Sequence, residues 1–155
     1  DGYKRNAHIP MSGFTAGPCL LKDTMQLSSF YNKKFSLGHA AMNVNEGMPK
    51  FIYDDLKENF NLKNKTIGLL GLTFKADCDD LRDSLAIKLL KYLQRKKFKV
   101  LYSDEFCEYK GLINKKDLIK KSDIIIISTP HSVYKKIRIP KKKILVDIWG
   151  HKSNF

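Results

Sequence analysis

Arginine is scarce in this 155-residue chain. Only Arg5, Arg82, Arg95 and Arg138 occur, so 25 of the 29 basic residues are lysines. Acidic residues number 16, and the formal net charge is +13. A basic domain invites a nucleic-acid reading. Base-edge and bidentate phosphate recognition, however, favour Arg. The sequence also offers no basic recognition helix and no stacking platform. The lysines fall in scattered pairs at 33–34, 96–97, 115–116 and 135–136, as expected of a solvated coat. A local basic site for a phosphorylated small molecule fits better than a polyanion surface, and no nucleic-acid partner is expected. Cysteine is sparse too. Cys19, Cys78 and Cys107 form no CxxC pair and no metal-ligand spacing with the four histidines, so neither a disulfide framework nor a metal site is expected. A chain of this length buries roughly two thirds of its unfolded surface and needs no such staple. An odd cysteine count without a signal-peptide core points to a reducing, cytoplasmic setting. Apolar runs such as 124–127 are too short to span a bilayer, so no membrane partner is expected.

What is present describes a folded domain. Hydrophobic residues at 43% and aromatics at 11% exclude a disordered tail. Residues 1–18 read as loop, punctuated by Gly2, Pro10, Gly13, Gly17 and Pro18. A helix is expected over 20–31. A longer one is expected over 35–60, where Leu37, Ala41, Val44, Met48 and Phe51 make one apolar stripe for core or dimer packing. Gly47 and Pro49 should bend or divide it. Beyond Asn61 the pattern changes to strands at 66–74, 99–103, 123–129 and 143–149. Between them Ser84 caps a helix with the stripe Ala86, Leu89, Leu90 and Leu93, and Asn114 with Asp117 resembles a capping box over a short helix to Lys121. Continuous aliphatic strands alternating with helices predict an α/β fold, a Rossmann-like parallel sheet with flanking helices. Ligands in such sheets bind at the carboxyl ends of the strands.

Two stretches offer chemistry. Gly17-Pro18-Cys19-Leu20-Leu21-Lys22-Asp23-Thr24 places a thiol at a helix start, where the dipole and free N–H groups favour thiolate. Lys22 adds charge, and Asp23 lies one turn on, able to orient a water or a lysine. From the residues alone, a small buried hydrophobe is the stronger reading of Cys19. Cys78 and Cys107 stand beside carboxylates that oppose thiolate, and both read as incidental. The second stretch is the loop 74–84 behind the first strand. Its glycines, Gly68 and Gly71, do not make a dinucleotide fingerprint. Lys75 would emerge at the strand's carboxyl end to meet a phosphate or base. From position alone, Arg82 reads as a structural partner of the adjacent carboxylates.

The motif GPCLLKDT, followed about fifty residues later by LGLTFKADCDDLRDS and at the end by VDIW, resembles the nucleotide-sugar 6-dehydrogenases. These are the UDP-glucose, UDP-N-acetylmannosamine and GDP-mannose dehydrogenases. The resemblance extends over essentially the whole chain, and the two motifs occur in the family's order, joined by a long helix. It implies NAD as cofactor and a UDP- or GDP-sugar as substrate, whose C6 alcohol becomes a carboxylate in two hydride transfers through a cysteine thiohemiacetal and thioester. On motif position it implies that Cys19 is the nucleophile and Asp23 the carboxylate assisting hydrolysis. Lys22 and Arg82 would lie toward NAD. Phe74 and Lys75 would hold the nucleotide of the substrate, and Arg5 would serve the neighbouring subunit's substrate site.

The resemblance further implies that residues 1–61 are the end of a central helical dimerisation region and 62–155 a nucleotide-sugar-binding domain. A homodimer through the central helix and a place in polysaccharide biosynthesis follow from it. The family's amino-terminal NAD domain has no counterpart in these residues. The chain, which begins at Asp1, is therefore expected to be a carboxy-terminal fragment, inactive by itself. A stand-alone sugar-nucleotide-binding module without redox chemistry is the alternative. It would have no use for a thiol at a helix start.

Overall fold

The computed structural model describes residues 12–31 and 34–150. Two helices come first, α1 (Leu20–Phe30) and α2 (Ser36–Asn59). The remainder alternates β1 (Thr66–Leu70), α3 (Leu85–Arg95), β2 (Lys99–Ser103), α4 (Lys115–Lys121), β3 (Ile124–Ile127) and β4 (Ile144–Asp147). A short 3-10 turn at Ser132–Tyr134 separates the last two strands.

The strands form one parallel sheet in the order β2-β1-β3-β4. Strand residues alternate between two apolar layers, as the pleat requires. Ile67, Leu69, Ile124 and Ile126 face Leu85, Ala86, Leu89, Leu90 and Leu93 of α3, with Ile52 and Leu56 of α2 and Phe14 in the same cluster. Leu70, Ile125 and Ile127 face Leu118 of α4 and Tyr134 on the other side. Helices therefore cover both faces, the arrangement of a doubly wound fold. The chain leaves β1 toward β2 on one side and reaches β3 on the other. The topological switch point lies between β1 and β3, so the loops after these strands border the crevice.

The expected caps form, with one difference. The Ser84 hydroxyl accepts from Ile87 N and donates to Leu72 O at 2.5 Å. Asn114 accepts from Lys116 N at 2.8 Å, and among the described residues no bond returns from Asp117, so Asn114 alone makes the cap. β2 matches the expected 99–103, and the other three strands are shorter than the apolar pattern. β1 stops at Leu70 because Gly71 turns the chain at φ 90°. β3 stops at Ile127 because Ser128 N and Thr129 N both donate back to Leu70 O. β4 stops at Asp147, whose carboxylate accepts from Trp149 N.

Helix α2 narrows two expectations. It runs undivided through Gly47 and Pro49, and the Pro49 ring is buried. Its core face is Met42, Pro49, Ile52 and Leu56. Of the stripe singled out from spacing, Leu37, Val44 and Phe51 face outward, 81%, 70% and 62% exposed, while Met48 is half-buried against the core. Both stripes fit a helical period, and the sequence alone does not say which one meets the sheet.

Candidate functional site

The two chemistry-bearing stretches meet. Phe14 is buried in the main core, and Thr15 is held by a two-point bond to Asn45 of α2: Thr15 N donates to its Oδ1 and its Nδ2 donates to Thr15 O. The Trp149 ring lies against Gly13, and its Nε1 donates to Ser128 O at 3.2 Å. Gly17, at φ 137°, is pressed under the Phe74 ring, and a Cβ there would stand 3.3 Å from it. That backbone conformation favours glycine, and a Cβ there would push the Phe74 ring by a few tenths of an ångström. The segment before Cys19 is thereby fastened to the loop after β1.

Cys19 is the N-cap residue of α1 and is exposed. Its side chain makes no cap hydrogen bond. Asp23 N donates to Cys19 O at 2.8 Å, closing the first helical turn. The Asp23 carboxylate takes its neighbour Lys22 at 2.8 Å, both exposed. The Lys22 ammonium is held above its ordinary value by its hydrogen bond to Asp23, with the Cys19 thiolate contributing least. Arg82 forks onto Asp80, Nε at 3.1 Å from each oxygen and Nη2 at 2.7 Å from Oδ2. That bond keeps the guanidinium charged, and again the Cys19 thiolate is the smallest contributor. Lys22 and Arg82 are thus both within electrostatic reach of one thiol, from two separate elements. Arg82 makes the Asp pairing read from its position, and with 72% of its side chain exposed it remains open to an anion.

Phe74 is half-buried and Lys75 is exposed, with its Nζ 5.8 Å from the Phe74 ring centre. Both sit in the loop after β1 rather than at the strand's last residue. Arg5 lies outside the described residues.

The cysteines separate by setting. Cys107 is half-buried, and burial, helped by Asp104, pushes its thiol up to about 12. Cys78 donates to Lys75 O at 3.3 Å. Among the described residues no group of three or more His, Cys, Asp or Glu is placed to hold a metal ion. No described helix is long and apolar enough to cross a membrane.

A dinucleotide cradle does not fit at the end of β1. A Cβ on Gly71 would come 2.9 Å from both Thr129 N and Thr129 O, so backbone already fills that turn. The Ser84 side chain caps the following helix from within. NAD therefore has no pyrophosphate seat there.

Sequence reasoning missed a buried cluster behind the loop. His131 and Asp104 have side chains 0% exposed and lie 3.1 Å apart. Asp104 also accepts from Leu72 N, Thr73 N and Phe106 N. Burial pushes its carboxyl up, but the His131 and backbone hydrogen bonds outweigh that and hold it below its ordinary value. The one available signal is a lone His right behind the aliphatic strand, in Ser128-Thr129-Pro130-His131.

Sheet, switch-point loops and docked thiol segment together define an α/β protein of the Rossmann-like class with an exposed thiol beside the loop after β1. Its family is narrower. The family model described as the UDP-glucose/GDP-mannose dehydrogenase family, UDP binding domain, matches residues 68–152, more than half of the chain, and the chain belongs to that family. It is similar to Protein CapL of Staphylococcus aureus, 29% identical over 153 residues, 86% of this chain and 35% of that protein. It is similar also to UDP-N-acetyl-D-mannosamine dehydrogenase of Pyrococcus horikoshii, 29% identical over 152 residues, covering 90% and 36%. The solved UDP-D-ManNAc dehydrogenase of Pyrococcus horikoshii matches with a TM-score of 0.79 at 27% identity, covering 95% of this chain and 37% of that one. The UDP-glucose dehydrogenase of Pyrobaculum islandicum gives 0.78 at 25% identity, covering 90% and 35%. The chain spans about a third of the length of these relatives.

Proposed function

We propose that this chain supplies the nucleophile and the nucleotide-sugar half of the cleft of an NAD-dependent nucleotide-sugar 6-dehydrogenase. The reaction oxidises the C6 alcohol of a UDP- or GDP-sugar to the carboxylate. One observation carries the reading: Gly17 under Phe74 fastens the Cys19 segment to the loop bearing Lys75. In this reading Phe74 and Lys75 hold the nucleotide, with Lys75 meeting its phosphates. The Cys19 thiolate adds to the C6 aldehyde, giving a thiohemiacetal. That aldehyde follows loss of a first hydride from C6 and a thioester follows loss of a second, with two NAD the acceptors the reaction would require. Water, its proton taken by Asp23, then releases the acid and returns the thiol. Lys22 and Arg82 flank NAD, the oxidant of the family reaction. Arg5 is assigned to a neighbouring subunit's substrate site.

The same reading divides the chain at residues 61 and 62 into the end of a dimerisation region and a nucleotide-sugar-binding domain. The outward stripe of α2 supports a homodimer through that helix. Three free cysteines agree with a cytoplasmic enzyme making polysaccharide precursors.

The test is thermal-shift screening of the 155-residue chain against UDP, GDP and their sugars. A ligand at a hundred times its Kd adds about 2.7 kcal/mol and raises Tm. Lys75→Ala should lose that rise while keeping the unliganded Tm. No shift with any nucleotide would overturn the assignment. With NAD and any of these sugars the chain by itself should give no NADH, and steady production would reject the half-cleft reading.

A further inference from the structure

The loop after β1 is fixed from behind as well as by bonds of its own, such as Phe74 N to Asp80 O at 3.0 Å. Asp77 N donates to His131 Nδ1 at 2.9 Å, so Nδ1 carries no proton and the ring proton sits on Nε2. Nε2 faces Asp104 Oδ2 at 3.1 Å, with the Thr73 hydroxyl 3.3 Å away. That hydroxyl donates to Lys75 O at 2.9 Å, and the Thr129 hydroxyl donates to Thr73 O at 2.8 Å. The Asp77 carboxylate closes the frame by accepting from Ser132 N at 2.8 Å. Phe106 stacks on the imidazole at 4.5 Å between ring centres, and Tyr134 meets it edge-on at 5.4 Å. The ring thus contacts the loops after β1, β2 and β3 together. No atom of its side chain reaches solvent.

We propose that His131, oriented by Asp104, is a positioning residue that sets the conformation of residues 73–77 and so presents Phe74 and Lys75 to the nucleotide. This rests on the assignment of those two residues to nucleotide binding. The two ring nitrogens do different work. Nδ1 receives the loop, and Nε2 anchors the ring to Asp104.

Two substitutions separate these roles. Asn places an acceptor where Nδ1 stands, and Gln places a donor where Nε2 stands. Both lose the stacking on Phe106, so both should lower Tm. If His131 only fills space, they should also change UDP affinity alike. The proposal expects His131→Asn to bind UDP within about threefold of wild type. It expects His131→Gln to bind about tenfold more weakly, the worth of one hydrogen bond. Amide exchange supplies a readout that needs no ligand: protection of Asp77 N–H should persist in His131→Asn and collapse in His131→Gln. Equal affinities, or unchanged protection in His131→Gln, would overturn the proposal. A wild type that binds no UDP would sink the nucleotide assignment, and exchange would still decide whether His131 holds the loop. Should neither variant fold, Asp77→Gly keeps the left-handed φ of 53° and removes the carboxylate that accepts from Ser132 N and faces His131 Nδ1 at 3.7 Å, and unchanged UDP affinity there would count against the clamp.

Discussion

At the scale of single residues, three thiols of one chain differ through their surroundings. Cys19 is exposed at a helix start with two cations in reach, whereas Cys107 is half-buried against Asp104. Iodoacetamide at pH 7.5, mapped by mass spectrometry, should label Cys19 first and Cys107 last, because the thiolate is the reactive form. Labelling of Cys107 before Cys19 would contradict this setting. The raised value also carries a sign for stability. The fold favours the Cys107 thiol, so its contribution is complete below the ordinary thiol value of about 8.5 and fades as pH climbs toward about 12. Cys19 at a helix start and the Arg82–Asp80 pair were legible because both are local: a cap is read from its neighbours, and Asp80 is two residues from Arg82. His131 and Asp104 were not. They are 27 residues apart and come from the ends of two different strands, so no periodicity connects them. The same holds for Asn45 and Thr15, 30 residues apart.

At the scale of elements, α3 was the most legible piece. Its expected stripe Ala86, Leu89, Leu90 and Leu93 becomes buried, and its cap forms at Ser84. That serine does more than cap, because its hydroxyl also donates to Leu72 O inside the core. Ser84→Ala therefore loses the cap, worth about 1 kcal/mol, and leaves Leu72 O without this donor, worth about 1–3 kcal/mol. Chemical denaturation should show a loss at the upper part of that range, and a loss below about 0.5 kcal/mol would show the cap to be dispensable. Strand cores were read correctly, and so were both ends of β2, but the carboxyl ends of β1, β3 and β4 were not. A run of apolar residues shows what is buried, while the end of a strand depends on which carbonyl its next N–H finds. Ser128 and Thr129 both turn back to Leu70 O, a contact across the sheet. Helix α2 carries two apolar stripes, and only the tertiary fold decides that Ile52 and Leu56 meet the core while Leu37, Val44 and Phe51 do not.

At the scale of the whole molecule, the lysine coat and the bare stripe of α2 pull in opposite directions. Burying Leu37, Val44 and Phe51 against a second copy would gain the usual return on apolar area. Two copies each carrying +13 repel, and exposed charges are screened within roughly 10 Å at 0.1 M salt. If the stripe is the dimer face, association should tighten between 50 mM and 500 mM NaCl, because salt screens the repulsion and leaves the apolar contact intact. Sedimentation velocity at both salt concentrations reads this directly. Leu37→Asp with Phe51→Asp should give monomers at either salt. Both positions are exposed, so each substitution should change the stability of the folded chain by no more than about 0.5 kcal/mol. A dimer that weakens with salt would mean that ion pairs hold it, and a dimer unaffected by the double substitution would place the interface on another surface.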